Sequence, residues 1–317
     1  MTKIKLKKKN VFIAVSILVF IIIAIGVGVK IKKNADYRKT YEYKLLQIGY
    51  SKEDTAFLIK NMKKEEIDNV LTKDLNENIP KLLKEKYYLQ KNLDQYLVYA
   101  NQNIDKSLTE IIAIINVSAN KEWYDDISST DMSKDNLIIV NKFYQLSKDY
   151  EPSDLVDIKN WYAFGTNPQM RDEAYEKFIA MFNAAKEEKL TLIINSSYRN
   201  YNLQEEIYNS NKTQYGKENA DKFVARPGHS EHQTGLAIDI FTYGANEKNF
   251  EEFDEFKWLQ DNAYKYGFIL RYPKDKEHLT GFAYESWHYR YVGIEAATHI
   301  YQNKITYDEY YAYFLAG

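Results

Sequence analysis

The sequence predicts an α+β fold in which helices flank a small, mostly antiparallel sheet. Two segments of five residues, Thr191–Asn195 (TLIIN) and Leu236–Ile240 (LAIDI), have the length and composition of buried strands. Two longer segments, Met170–Leu190 and Phe253–Tyr266, instead carry apolar residues at helical spacing. Because each of these helices has one apolar face, we expect both to lie on the sheet.

The front of the chain predicts a membrane anchor at residues 11–30. Its core is a run of 19 residues, Val11–Val29, interrupted only by Ser16 and two glycines, and at about 1.5 Å per residue a helix of this length covers roughly 30 Å of hydrocarbon. Five lysines precede the run, which predicts a cytoplasmic tail at residues 1–10 and an extracytoplasmic remainder in the cell membrane. A cleaved signal peptide is the alternative, although no small-x-small cleavage site follows the run.

The charge of the chain is divided unevenly along its length. Residues 1–39 carry ten basic residues and one acidic residue, so the remainder has 33 basic against 44 acidic residues. An acidic body argues against a nucleic-acid partner, because that binding depends on a basic face. The absence of cysteine excludes both disulfides and thiolate metal ligands.

Residues 31–125 read as a helical stalk or docking module whose role the sequence leaves open. Ser51 and Asp54 form a capping box that predicts a helix as far as Met62. Two β-branched runs follow, TEIIAIINV between Leu108 and Val117 and NLIIV at Asn136–Val140, and we expect either of them to be a strand. A second domain is predicted at residues 126–317.

Three of the five histidines fall in two short stretches, RPGHSEHQTGLAIDI at Arg226–Ile240 and ESWHYRYVG at Glu285–Gly293. Those histidines are His229, His232 and His288. This clustering indicates a metal site, because a catalytic zinc ion takes three protein ligands and keeps one position for water. Without cysteine, the ligands must be imidazole and carboxylate.

The spacing within the first stretch predicts how two ligands meet. Gly235 permits a turn after His232, and a strand then follows in which Ala237 and Asp239 share one face. Asp239 is therefore expected to point back towards His232, with His288 as the third ligand.

Glu285 lies three residues before His288. A metal site that hydrolyses an amide also needs a carboxylate that is not a ligand, to take a proton from water. Positions three apart on a regular strand face opposite ways, so we expect Glu285 in a turn or bulge just before the strand that carries His288.

These residues match a family pattern. HSEHQTGLAID followed by ESWH resembles S-x-H-x-x-G-x-A-x-D with E-x-W-H of the VanY-type D-alanyl-D-alanine carboxypeptidases, zinc peptidases that trim the stem peptides of peptidoglycan. A third block, SSYRNYNLQ at Ser196–Gln204, is similar to S-x-Y-R-S-x-x-x-Q and departs from it at Asn200. The resemblance runs from about Asp135 to the C-terminus and implies a zinc cleft in residues 126–317.

The resemblance also suggests residues that contact substrate. Arg199 is expected to stabilise a developing oxyanion or to bind a substrate carboxylate, with a structural salt bridge as the alternative. Gln204 and Ser230 are candidates for substrate contacts. His229 is expected to support the loop rather than to be a fourth ligand, since four protein ligands would leave no position for water.

The leading hypothesis is therefore a membrane-anchored zinc carboxypeptidase that removes a C-terminal D-alanine from stem peptides, with Glu285 as the catalytic carboxylate. The sequence leaves open a D,D-carboxypeptidase, an L,D-carboxypeptidase and an endopeptidase. An inactive wall-binding scaffold of the same fold is the alternative from another class. The oligomeric state also stays open.

Overall fold

The computed structural model describes residues 8–165 and 167–316, with side chains described from residue 18 onward. The chain forms two compact units, one that ends at Tyr88 and one that begins at Leu89. The predicted boundary near residue 125 falls inside the second unit, and the limits of the functional domain stay a prediction.

The first unit is helical. Thr40 and Ser51 cap two of its helices, since each side chain accepts a hydrogen bond from a backbone N–H three residues later. The helix start predicted at Ser51 is thereby confirmed, with Asp54 supplying the N–H of the cap, and the helix ends one residue before Met62. The helices are α1 (Lys8–Tyr37), α2 (Tyr41–Ile48), α3 (Lys52–Asn61), α4 (Lys64–Val70) and α5 (Asn78–Leu82).

Helix α1 contains the segment predicted to span the membrane. The predicted tail lies largely in residues 1–7, outside the described part of the chain, and the side chains of residues 11–17 of the predicted span are likewise not described. Among the residues that are described, no helix combines the length and the apolar character that a membrane crossing requires.

The second unit contains nine helices and eight strands within residues 89–165 and 167–316. The helices are α6 (Leu93–Gln102), α7 (Leu108–Asn116), α8 (Asp172–Glu187), α9 (Tyr201–Tyr215), α10 (Lys217–Phe223), α11 (Asp254–Asn262), α12 (Glu277–Thr280), α13 (Ile294–Asn303) and α14 (Tyr307–Phe314). The strands are β1 (Ser128–Ser129), β2 (Tyr144–Gln145), β3 (Leu155–Asp157), β4 (Gln169–Arg171), β5 (Ile193–Ser196), β6 (Ala237–Phe241), β7 (Phe268–Leu270) and β8 (His288–Tyr291). Short 3₁₀ turns include Glu231–Thr234 and Ala263–Tyr266.

The run TEIIAIINV is helix α7 and not a strand. Ser107 caps the helix by accepting a hydrogen bond from the backbone N–H of Glu110, and residues 111–115 are all buried. The β-branched composition misled the prediction, because burial of these five consecutive residues outweighs the small intrinsic cost of isoleucine in a helix.

The run NLIIV is also not a strand. Its backbone carbonyls are occupied by side chains, because Arg290 donates to the carbonyls of Asn136 and Ile138 at 3.0 and 2.8 Å and Thr130 donates to that of Ile139 at 3.0 Å. Buried carbonyls need a partner, and here side chains take the place of a neighbouring strand.

The predicted antiparallel sheet is confirmed, with strand order β5-β6-β8-β7. Its two faces differ in chemistry because side chains alternate along each strand. One face carries Ile238, Ile240, Tyr289 and Tyr291, which pack with Phe178 of α8 and Leu259 of α11 in the main core. The other face carries the polar residues Asp239, His288, Arg290 and Arg271, so the functional groups stand on a rigid support.

Candidate metal centre

His232 lies in the 3₁₀ turn at Glu231–Thr234, and Gly235 ends that turn with a φ of +67°. The positive φ favours glycine, and a Cβ at this position would also displace Leu155, whose Cδ2 would lie 2.9 Å away. Nδ1 of His232 donates to the carbonyl of Ser197 at 2.7 Å. This hydrogen bond leaves the lone pair of Nε2 directed at Asp239, whose Oδ1 is 3.4 Å away.

Asp239 and His288 are opposed on neighbouring strands, since they are register partners in the β6–β8 pair. Nδ1 of His288 lies 3.1 Å from Asp239 Oδ1. The alternation predicted from LAIDI therefore places Asp239 where the metal hypothesis needs it.

Two of the three distances between the donor atoms match those of a tetrahedral metal site. One atom each from His232, Asp239 and His288 lie within 4.8 Å of one another. Bonds of about 2.0–2.1 Å at tetrahedral angles separate two ligand atoms by about 3.3 Å, close to the 3.4 and 3.1 Å measured to Asp239 Oδ1. Two imidazole nitrogens and one carboxylate are a donor set that zinc accepts.

Glu285 lies in the turn before β8, as predicted, and its side chain reaches the same centre. Its Oε2 is 3.7 Å from Nδ1 of His288. Burial raises the pKa of Glu285 to about 7, with the charges of His288 and Arg199 opposing that shift. A carboxyl group with a pKa near neutrality is suited to both accepting and returning a proton.

Burial also keeps His232 neutral. It lowers the pKa of His232 to about 4, and the nearby charge of Arg199 acts in the same direction. Burial acts to raise the pKa of Asp239, but the two histidines outweigh it and hold that pKa below its usual range. A neutral imidazole beside an ionised carboxylate is the protonation state that binds a metal.

Arg199 lies in the cleft, as predicted. Its backbone N–H donates to the carbonyl of His232 at 3.2 Å. This hydrogen bond fixes the β5–α9 loop against the 3₁₀ turn that carries His232. Within the described chain its buried Nε has no hydrogen-bond partner, while burial lowers its pKa against the attraction of Asp239 and Glu285. The structure gives no salt-bridge partner to Arg199 in the described regions, so this guanidinium is available to an anionic group.

Ser230 and Gln204 are both buried and both line the cleft. Gln204 donates from Nε2 to the carbonyl of Ala225 at 2.8 Å, whereas its Oε1 has no donor in the part of the chain described. Asn200, where the family pattern has Ser, caps α9 by accepting from the N–H of Leu203 at 2.9 Å. Serine and asparagine are both favourable caps, so the departure keeps this function.

His229 is a supporting residue. Its Nδ1 donates to the carbonyl of Asn141 at 2.7 Å, and its ring meets that of Tyr124 edge-on.

Trp287 stacks on Phe241 beside the cleft. The cleft has a volume of about 340 Å³ and is lined by all seven predicted site residues.

The sequence did not predict a cluster of four buried charged residues behind His288, which are Glu231, Arg271, Arg290 and Asp308. Arg271 and Arg290 donate to the same oxygen of Glu231, Oε1, at 2.8 and 3.1 Å, and Arg271 also contacts Asp308 at 2.6 Å. Burial acts to raise the pKa of Glu231, but the two arginines outweigh it and hold that pKa below its usual range. The available signal was an arginine inside each of two otherwise apolar strand sequences, FILRY and HYRYV, because a buried charge requires a partner.

Comparison with known proteins agrees with the fold and the site. The family model described as "VanY: D-alanyl-D-alanine carboxypeptidase" matches residues 167–294. YodJ of Bacillus subtilis (strain 168), provisionally named a carboxypeptidase, is 42% identical over 209 residues, which are 61% of this chain and 76% of YodJ. A D-alanyl-D-alanine carboxypeptidase of Enterococcus faecium is 33% identical over 67% of this chain and 69% of its own length.

A solved structure of the LdcB LD-carboxypeptidase is also similar. It shares 42% identity, with a TM-score of 0.56 over 60% of this chain and 91% of LdcB. The fold and the cleft thus define a carboxypeptidase-like protein. The chain belongs to the VanY family of D-alanyl-D-alanine carboxypeptidases.

Proposed function

We propose that the protein is a zinc-dependent carboxypeptidase that removes a C-terminal D-alanine from peptidoglycan stem peptides. The observation that carries this proposal is the set of His232, Asp239 and His288, whose donor atoms lie within 4.8 Å of one another, with the carboxylate of Glu285 3.7 Å from His288 and outside the set. A dead copy of the fold would be free to lose any of these groups.

The residues of the chain supply the remaining chemistry. Zinc held by His232, Asp239 and His288 would act as a Lewis acid and lower the pKa of water. Glu285 takes a proton from the attacking water and returns it to the amine that leaves, which its pKa of about 7 allows near neutral pH. Arg199, with an unpaired buried Nε, stabilises negative charge on the carbonyl oxygen or binds the substrate carboxylate.

Ser230 and Gln204 orient the peptide in this proposal. Both are buried in the wall of the cleft, and Oε1 of Gln204 has no hydrogen-bond partner in the described chain. A buried acceptor of this kind suits a substrate N–H, because leaving it unpaired would cost about 1–3 kcal/mol.

An L,D-carboxypeptidase is the second candidate, and the similarity to LdcB favours it. The two activities differ in whether the residue before the terminal D-alanine is a D-alanine or an L-lysine. The side chains around that residue decide the specificity.

Mass spectrometry of defined muropeptides tests both candidates. The purified chain, loaded with zinc, is incubated with a pentapeptide that ends in D-Ala-D-Ala and with a tetrapeptide that ends in L-Lys-D-Ala. Loss of one alanine from either peptide supports a carboxypeptidase and identifies its class, whereas cleavage inside a cross-link indicates an endopeptidase. Absence of bound zinc together with absence of products would contradict the proposal and favour the scaffold.

We also propose that residues 11–30 anchor the protein in the cell membrane with its C-terminal body outside. The lysines before the apolar run and the extracytoplasmic location of peptidoglycan support this arrangement. Protease added to intact protoplasts should digest the body. Recovery of the protein from the medium with an N-terminus after residue 30 would instead favour the signal peptide.

A further inference from the structure

The carboxylate of Glu231 is divided between two tasks. Oε1 accepts from both Arg271 and Arg290. Oε2 lies 3.5 Å from Nε2 of His288, and both of these buried atoms are without any other hydrogen-bond partner in the described residues. Two buried polar atoms that face only each other indicate a hydrogen bond between them, and such contacts are often long until a site is loaded.

The proton on His288 decides which ring nitrogen is available to the metal. Nδ1 points at Asp239 and Glu285, at 3.1 and 3.7 Å. Nε2 points in the opposite direction, at Glu231. A proton held on Nε2 by Glu231 leaves the lone pair of Nδ1 for the metal, in the manner of a carboxylate–histidine–metal arrangement.

The position of Glu231 is fixed from behind. Arg290 also donates hydrogen bonds to the carbonyls of Asn136, Ile138 and Tyr291. These bonds hold its guanidinium against Glu231. Arg271 is held by Asp308 at 2.6 Å, and the side chains of both arginines are fully buried. Glu231 therefore cannot rotate without breaking two charged hydrogen bonds in the interior, which is strongly unfavourable.

We propose that Glu231 is a positioning residue that fixes the tautomer and the orientation of His288 for metal binding, and that Arg271 and Arg290 hold it in place. Glu231 contacts neither the metal nor the substrate in this assignment. The inference deepens the proposed function, on which it rests, by assigning a role to a residue beside the ligands.

Glu231→Gln tests the assignment sharply. The two arginines continue to require an acceptor at Oε1, so the amide places its oxygen there and its NH₂ group towards Nε2 of His288. Two donors then face each other, and His288 is driven to the tautomer that blocks Nδ1. We expect zinc affinity, measured by competition with a chelator, to fall by about 10- to 100-fold, as is typical when the partner of a ligating histidine is removed.

Asp308→Asn is the matched control, because it removes one negative charge from the same buried network without touching His288. Both variants should unfold at a lower temperature, but zinc affinity of Asp308→Asn should fall by less than about 10-fold, the lower limit for loss of the partner of a ligating histidine, because the amide oxygen still accepts from Arg271 and Arg290 still holds Glu231. Equal loss of zinc affinity in both variants, or no loss in Glu231→Gln, would overturn the assignment.

Nitrogen-15 spectra of the His288 ring separate this inference from the proposed function. The spectra are recorded without zinc at a pH high enough for the His288 ring to be neutral. A proton on Nε2 with an unprotonated Nδ1 in wild type and in Asp308→Asn, and the reverse in Glu231→Gln, supports the role of Glu231 even if the wild-type chain takes up no zinc, a result that would contradict only the zinc proposal. The wild-type spectrum suffices if Glu231→Gln does not fold. Absence of the Nε2 proton in wild type would overturn the inference.

Discussion

The two edges of the His288 ring face different surroundings. On the cleft side, Nδ1 meets Asp239 and Glu285 within 3.7 Å, and the cleft also contains Arg199, whose Nε has no hydrogen-bond partner among the described residues. On the interior side, Nε2 meets Glu231, whose other oxygen is held by two fully buried arginines. One side keeps hydrogen-bonding capacity free, and the other uses almost all of it.

The two glutamates beside His288 show what this difference does. Burial raises the pKa of Glu285 to about 7, whereas the arginines hold the pKa of Glu231 below its usual range despite burial. The same side chain is thus suited to proton transfer on one side and to a fixed negative charge on the other. The cleft side should therefore govern chemistry and the interior side stability and ligand geometry.

The largest effect is expected from His232→Ala, on the cleft side. Loss of one of three ligands should remove zinc and lower kcat/KM by at least about 10⁴-fold, because the Lewis acid is lost with it. Metal analysis and peptide hydrolysis on the same preparation measure both. His229→Ala is the control, since His229 is buried in the same loop but its ring contacts the carbonyl of Asn141 and Tyr124, and zinc loss in that variant would contradict the ligand assignment.

Glu285→Gln should separate catalysis from metal binding. The variant is expected to keep its zinc and to lose about 10²- to 10⁴-fold in kcat, the usual contribution of a general acid and base. Zinc content and kcat on a peptide ending in D-alanine decide the matter. Loss of zinc would make Glu285 a ligand, and near-normal turnover would place the base elsewhere.

Arg290→Met tests the interior side. Removing one partner of a buried charge network costs about 3–5 kcal/mol in the free energy of unfolding, because Glu231 loses one of its two arginine donors and three backbone carbonyls lose the guanidinium. Denaturant unfolding of the metal-free protein measures this loss. Lys257→Met breaks a pair whose side chains are 63% and 79% exposed, and a similar loss there would refute the special cost of the buried network.

The smallest effect is expected from Thr306→Ala, at the start of the helix that carries Asp308. Thr306 caps α14 by accepting from the N–H of Glu309 at 3.1 Å, and loss of such a cap costs about 0.5–2 kcal/mol. Zinc affinity should not change, since Asp308 only supports Arg271. Thermal unfolding measures the change in stability, and zinc titration measures the affinity for zinc. A large loss of zinc affinity would mean that the residues on the interior side of His288 affect zinc binding more directly than through Arg271.

Local chemistry made much of the site predictable. Alternation along LAIDI placed Asp239 on the face opposite Ile238 and Ile240, and the three-residue spacing from Glu285 to His288 required a turn, which the structure contains. The helices at residues 172–187 and 254–262 followed from helical periodicity. Such patterns are readable because their cause lies within a few residues along the chain.

Tertiary structure decided what depends on distant partners. Burial made a helix of the β-branched run at Leu108–Asn116, and Arg290 took the carbonyls that would have paired a strand at residues 136–140. Glu231, Arg271, Arg290 and Asp308 are widely separated in sequence, and only the β7–β8 pairing and the packing of α14 unite them. The sequence by itself determined which side chains could ligate a metal, because ligand chemistry is a property of each residue. Which carboxylate is held ionised and which is free to exchange a proton was decided by the fold, because the free energy of a buried charge depends on neighbours that only the fold brings together.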